Sequence, residues 1–264
     1  MIPAIPAIAF ILLLAAAALQ AIRLFRPGGK GDPVSVWLLA AAALLLFGFS
    51  LQRSFEIGFA ALTSTFESLV FYAAVVALVV ALYRFQRRIP FSPFVAFAST
   101  FFAAALLAVA SSPLLPKDAL PPIPALNSSW LALHVAFSFI GEAFFVVSFA
   151  SSLAFLFSGD ADRRLALDRV TYAAIAVGYP IFTAGALVFG AIWAERAWGH
   201  WWSWDPKETW ALVTWLVYTA YLHVRLVMKR KDALASAIAV VGFICTVFTF
   251  FGVNYLLPGL HSYG

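Results

Sequence analysis

Long apolar runs separated by short polar or basic stretches fill most of this chain. Their limits predict eight helices, near residues 3–22, 34–51, 67–83, 91–111, 129–157, 170–193, 206–228 and 234–254. A helix needs roughly 20 apolar residues to cross ~30 Å of hydrocarbon, and these runs are of that order. They lack the period-two alternation of a lipid-facing strand, so helices rather than a closed barrel satisfy the backbone. The fifth run is overlong, which predicts tilt or protrusion. Composition strengthens the picture: of 264 residues, 64% are hydrophobic and 11% charged, too apolar a balance for one water-soluble core. The expected fold is an all-α, polytopic integral membrane bundle of about eight transmembrane helices. It forms one integral domain over 1–264 with no soluble appendage.

Charge sets an expected orientation. Arg23, Arg26 and Lys30 follow the first run, Arg84, Arg87 and Arg88 the third, and Arg163, Arg164 and Arg169 the fifth. Arg225, Lys229, Arg230 and Lys231 close the seventh, while the alternate loops hold only Arg53, Lys117, Arg196 and Lys207. The positive-inside rule puts the richer set in the cytoplasm or its equivalent and both termini on the extracytoplasmic side. The net charge of +5 is spread over these loops, so no nucleic-acid partner is expected. Met1 to Ala4 lacks a basic n-region, so the first run reads as a retained helix. Cys245, the single cysteine, excludes an internal disulfide or Cys-x-x-Cys relay.

Local signals refine the helix ends. Pro113, Pro116, Pro121, Pro122 and Pro124 predict an extended connection, after which Asn127, Ser128 or Ser129 can cap the fifth helix. Gly178, Pro180, Gly185 and Gly190 can kink the sixth or admit close helix approach. Asp205-Pro206-Lys207-Glu208 suits an N-cap, a first-turn proline and a capping-box glutamate. Glu67 opens the third helix, where capping suffices to explain it. Glu142 is an intramembrane carboxylate, expected to be paired or protonated.

The densest chemical signal is Trp198-Gly-His-Trp201-Trp202-Ser-Trp204-Asp205-Pro-Lys-Glu-Thr-Trp210, with Trp193 before it and Trp215 after. Residues 194–209 are expected to form an extracytoplasmic Trp-rich loop. Tryptophans gather at membrane interfaces as anchors, but so many interleaved with charges suit a flat aromatic ligand. Two histidines flank the loop on the same expected side, His134 at the start of helix five and His261 after helix eight. Two neutral imidazoles on opposite faces of a planar macrocycle are what six-coordinate haem iron needs. Zinc fits less well, because no tight ligand spacing includes these residues. His223, about 26 Å down the seventh helix from Pro206, suits either a ligand or a core histidine bonded to a neighbouring helix. Arg196 and Lys207 can meet haem propionates or stay solvated.

These residues carry a family resemblance. Trp198 to Trp210, with Phe66-Glu67-Ser68, Leu133-His134-Val135, Gly190 to Ala194 and Tyr221-Leu222-His223, resembles the haem-handling membrane proteins of cytochrome c biogenesis. The CcsA (ResC) branch, with its Trp-rich WWD domain, is the nearest. That resemblance implies haem b as transported ligand, with His134 and His261 as axial ligands at the extracytoplasmic site and His223 as a transmembrane ligand. Trp198, Trp201, Trp202, Trp204, Asp205 and Trp210 would line the outer site. It implies a CcsB/ResB-like membrane partner, apocytochrome c as recipient, and a component of a cytochrome c synthase joining haem to Cys-x-x-Cys-His motifs by thioether bonds. Location in a bacterial cytoplasmic membrane or a thylakoid membrane follows. His200 takes no ligand role from the resemblance. Haem delivery to a separate chaperone, as in the CcmC branch, and a membrane di-haem electron-transfer protein are the alternatives. An aromatic-gated solute transporter would leave the outer histidines unexplained.

Overall fold

The computed structural model describes residues 3–25, 32–86, 89, 91–113 and 115–257. Among them lie helices α1 (Ala4–Phe25), α2 (Val34–Ile57), α3 (Thr65–Phe85), α4 (Pro93–Ala110), α5 (Ser129–Phe157), α6 (Ala161–Phe182), α7 (Gly190–Trp198), α8 (Pro206–Leu226), α9 (Ala233–Val247) and α10 (Val253–Leu256). π-Helical segments at Thr183–Phe189 and Phe248–Gly252 join α6 to α7 and α9 to α10. No strand occurs among the described residues. His261, Met1, Ile2 and the loop cations Arg26, Lys30, Arg87 and Arg88 lie outside them.

A helix occupies each of the eight expected places, and among the described residues seven helical runs are long and apolar enough to cross a membrane. The chain is a polytopic helical membrane protein. α8 has 21 residues but is not among the seven. The sixth run is longer than 170–193. It extends unbroken over Ala161–Trp198, 38 residues, because Asp160 caps α6 by accepting from the Arg163 amide at 2.6 Å. Arg163, Arg164 and Arg169 therefore lie on α6 rather than in a loop.

Two compact units divide the chain, Met1–Asn127 and Ser128–Gly264. In the first, α1 packs on α2 and α4, and α3 packs on the same two, which closes a four-helix ring. Ser64 and Glu67 form a capping box at the start of α3. Arg53, expected in a loop, lies within α2 and is buried. Its Nε donates to Glu67 Oε1 at 3.1 Å and its Nη2 to the Asp118 carbonyl at 2.5 Å. One guanidinium thus ties α2 to α3 and to the proline-rich connection. Removing one partner of a buried pair costs about 3–5 kcal/mol, because it strands the other charge. Arg53→Ala and Glu67→Ala are each expected to lower the thermal midpoint of the detergent-purified protein by many degrees, with Arg53→Met/Glu67→Leu closer to wild type. Single variants that unfold at the wild-type midpoint would contradict this. Arg84 similarly meets Ser35 and the Asp32 carbonyl. Burial pushes the Asp32 carboxyl up, but bonds from Ser35 and the Arg84 charge outweigh it, and the net effect is a lowered pKa.

In the second unit, α5 packs along α6, the first π-helical segment and α9, and α8 packs on α9. Glycines permit the closeness: a Cβ on Gly178 would stand 2.8 Å from the Gly141 carbonyl oxygen, and one on Gly141 would stand 2.7 Å from the Phe182 nitrogen. Ser128 occupies the N-cap of α5 but makes no side-chain cap bond, so the expected polar cap is absent. Asp168 and Arg225 form a two-pronged pair at 2.8 and 3.0 Å, both largely buried, joining α6 to α8.

Candidate functional site

His134 stands in the second turn of α5, half-buried. Its Nδ1 lies 2.9 Å from the carbonyl oxygen of Gly185. Gly185 sits in the first π-helical segment, where its carbonyl also accepts from the Gly190 amide five residues on. An Nδ1–H donated to a carbonyl fixes the tautomer and leaves the lone pair on Nε2, the arrangement that orients a metal-ligating imidazole. Gly190 leaves room for the same edge of the ring, since a Cβ there would lie 2.9 Å from Nδ1. The fully buried Trp193 runs parallel to the imidazole, with centroids 6.1 Å apart and planes within 8°. Trp198 meets Trp193 edge-on at 6.1 Å.

Of residues 194–209, only 199–205 are non-helical, since Trp198 ends α7 and Trp210 lies in α8. Gly199 (φ 81°) and Trp204 (φ 59°) bound most of this turn with left-handed backbone. For a tryptophan that conformation costs about 1–2 kcal/mol. Glu208 holds it there by accepting from the Ser203 amide at 2.8 Å, the Ser203 hydroxyl at 3.1 Å and the Asp205 amide at 3.3 Å. Asp205 accepts from the Lys207 amide at 2.9 Å, so the expected capping box is present. Held this way, Trp204 is 68% and Trp201 60% exposed, an outward aromatic surface. The indole nitrogens of Trp198 and Trp202 are buried and find no hydrogen-bond partner among the described residues. An orphaned donor costs about 1–3 kcal/mol, so two beside one loop point to an acceptor-bearing ligand.

The other expected residues separate. Trp210 packs on Phe248 at 4.3 Å, and His200 is exposed on the loop. Arg196 lies over Trp130 at 5.5 Å on an exposed part of α7. Lys207 turns inward, donating to Asn254 Oδ1 at 3.1 Å over the Phe250 ring. His223 is exposed near the end of α8, on a face with Leu216, Ala220 and Val227. Sequence reasoning missed the Gly185 carbonyl, the Gly190 contact and the Trp193 stack as supports of His134. The signal for the last two was the Gly-Ala-Ile-Trp-Ala stretch before the loop. Among the described residues, no cluster of three His, Cys, Asp or Glu side chains could hold a bare metal ion. One imidazole on an aromatic wall beside orphaned indole donors fits a planar iron macrocycle.

The family described as "Cytochrome C assembly protein" matches residues 62–261, a stretch that includes this whole site. The chain belongs to the cytochrome c assembly protein family. Among its relatives, "Cytochrome c biogenesis protein CcsA" of Prochlorococcus marinus (strain MIT 9303) is 35% identical, covering 90% of this chain and 86% of the relative. The protein of that name from Synechococcus sp. (strain CC9605) is 38% identical over 87% and 86%. The Chlamydomonas reinhardtii protein is 43% identical, but over 57% of this chain and 46% of its own length. Among solved structures, "Cytochrome c Heme Lyase CcmF" superposes with a TM-score of 0.74 at 18% identity. It covers 97% of this chain, which spans 46% of that protein, so the likeness speaks to the fold alone.

Proposed function

We propose that this protein receives haem in the membrane and presents it at the tryptophan-rich turn for covalent attachment to an apocytochrome c. Membership of the assembly family supports a role in cytochrome c maturation. The observation that carries the haem reading is the fixed imidazole: His134 Nδ1 on the Gly185 carbonyl, parallel to Trp193, beside the unpartnered Trp198 and Trp202 donors. Haem b, as substrate, supplies the iron that such an imidazole ligates and the vinyl groups that become thioethers. His134 Nε2 would hold one axial position, and His261 the other. Trp201 and Trp204 would offer flat surface to the ring, and Arg196, rather than the inward Lys207, would meet a propionate. His223 on an exposed helix face supports a second haem position completed by a CcsB/ResB-like membrane partner. The turn would face the extracytoplasmic side of a bacterial cytoplasmic or thylakoid membrane.

The test is co-expression with such a partner and an apocytochrome carrying Cys-x-x-Cys-His, with covalent haem read by peroxidase staining of denatured protein. Trp202→Ala/Trp204→Ala is expected to reduce covalent haem roughly 10–100-fold, the usual effect of loosening the support of a ligand site. Haem retained by this protein without any covalent product would favour delivery to a separate chaperone. Unchanged maturation in the double variant would contradict the presenting role of the turn.

A further inference from the structure

Glu142 has no part in the reading above, although it lies eight residues along α5 from His134, about 12 Å of helix rise. It is 6% exposed, and its Oε2 has no hydrogen-bond partner among the described residues. A carboxylate so deep in a membrane helix is costly in its charged form and is a functional candidate by default. From α8, the Lys207 ammonium acts on it electrostatically, and the carboxyl in turn acts on the Tyr218 hydroxyl. Asp205 acts on Lys207 in turn, and Cys245 of α9 acts on Tyr218. At the adjacent Gly141, the nearest atoms of α6 belong to the uncharged Gly178 and Phe182. Ion pairs within 4 Å among the described residues are Arg53–Glu67, Arg84–Asp32, Arg225–Asp168 and Arg230–Asp232. Lys207 therefore acts on Glu142 at range while Asn254 holds its ammonium.

With no ion pair within 4 Å and no hydrogen bond to Oε2 among the described residues, nothing local fixes the charge of this carboxyl, so it responds to a further charge placed near α5. We propose that Glu142 is a proton-binding site coupled to the His134 haem site, taking up a proton as the iron there gains an electron. This rests on the haem reading above. In the coupled step, one electron from an external reductant converts ferric to ferrous iron, and one solvent proton converts the Glu142 carboxylate to the acid. The sign follows from charge: reduction removes a positive charge near α5, which raises the proton affinity of Glu142. Unit charges about 12 Å apart at an effective dielectric of about 20 change a binding constant roughly tenfold. The site thereby lets iron bound at His134 change oxidation state without a change in local net charge.

The test is a spectroelectrochemical titration of the full-length, haem-loaded protein between about pH 5.5 and about pH 9, spanning the usual range of perturbed carboxyls. The midpoint potential is expected to fall by about 59 mV in total as pH rises, the equivalent of that tenfold change for one electron. Glu142→Gln is expected to lose this component, and Glu142→Asp to retain it at a shifted pH. Equal pH profiles in wild type and Glu142→Gln would overturn the proposal. A preparation without haem would tell against the haem reading and the coupling, and infrared spectroscopy of the same preparation decides the proton site separately. A deuterium-sensitive carboxylic-acid carbonyl band that weakens as pH rises, and is missing from Glu142→Gln, is the expected result. No difference between the two proteins would overturn the site itself.

Discussion

His134→Gly is expected to strip the purified protein of its low-spin haem spectrum while leaving its helical fold and thermal midpoint near wild type. The imidazole is half-buried near the start of α5, and α5 packs against α6, the π-helical segment and α9 through many other residues. Its ring does two things instead: it accepts its orientation from the Gly185 carbonyl, and it lies parallel to Trp193. Loss of a supporting contact to a metal ligand costs about 10–100-fold in affinity, and loss of the ligand itself is expected to exceed that. Glycine leaves a ring-sized space, so millimolar imidazole in the buffer is expected to restore the spectrum. A haem content equal to wild type in His134→Gly would remove this residue from the site.

Two glycines of the same region separate stability from ligation. In Gly185→Ala the new methyl would lie 2.4 Å from the Ser138 backbone nitrogen and 2.6 Å from the Phe137 carbonyl carbon. No side-chain rotation relieves a clash with backbone, so α5 and the π-helical segment must part. Overpacking of this kind costs about 1–3 kcal/mol and occasionally more. Gly185→Ala is therefore expected to lower the thermal midpoint and haem content together. Gly190→Ala meets the His134 ring instead, at 2.9 Å from Nδ1 and 3.1 Å from Cε1. A ring can tilt by a few tenths of an ångström, at the expense of its bond to Gly185. That variant is expected to keep its midpoint and bind haem roughly 10–100-fold more weakly. Fluorescence-detected thermal unfolding alongside haem titration separates the two. Equal losses of stability in both variants would contradict the distinction.

What the residues revealed in advance was local. Asp205-Pro206-Lys207-Glu208 specifies a helix start through contacts within one turn, so the capping box was legible before any fold was known. Long apolar runs gave the helices for the same reason, since hydrocarbon thickness fixes their length whatever their neighbours. Features that depend on packing between helices were hidden. Arg53 read as a loop cation because a lone charge ends an apolar run, yet Glu67 and the Asp118 carbonyl make it affordable inside α2. Gly185 and Gly190 read as packing glycines, but the π-helical register that brings the Gly185 carbonyl to His134 arises only against α5. The depth of His223 followed from counting residues, whereas its exposed face depends on which side of α8 meets α9. Lys207 and Arg196 looked equivalent beside the loop, and only the Asn254 and Trp130 contacts distinguish them.

The most direct measurement is the absorption spectrum of the wild-type protein, co-expressed with a CcsB-like membrane protein, purified in detergent and reduced with dithionite. A six-coordinate low-spin haem spectrum that is lost in His134→Gly and returns with imidazole is the expected result. A folded, partner-bound protein that carries no haem, or one whose haem spectrum is the same with and without His134, would contradict the account.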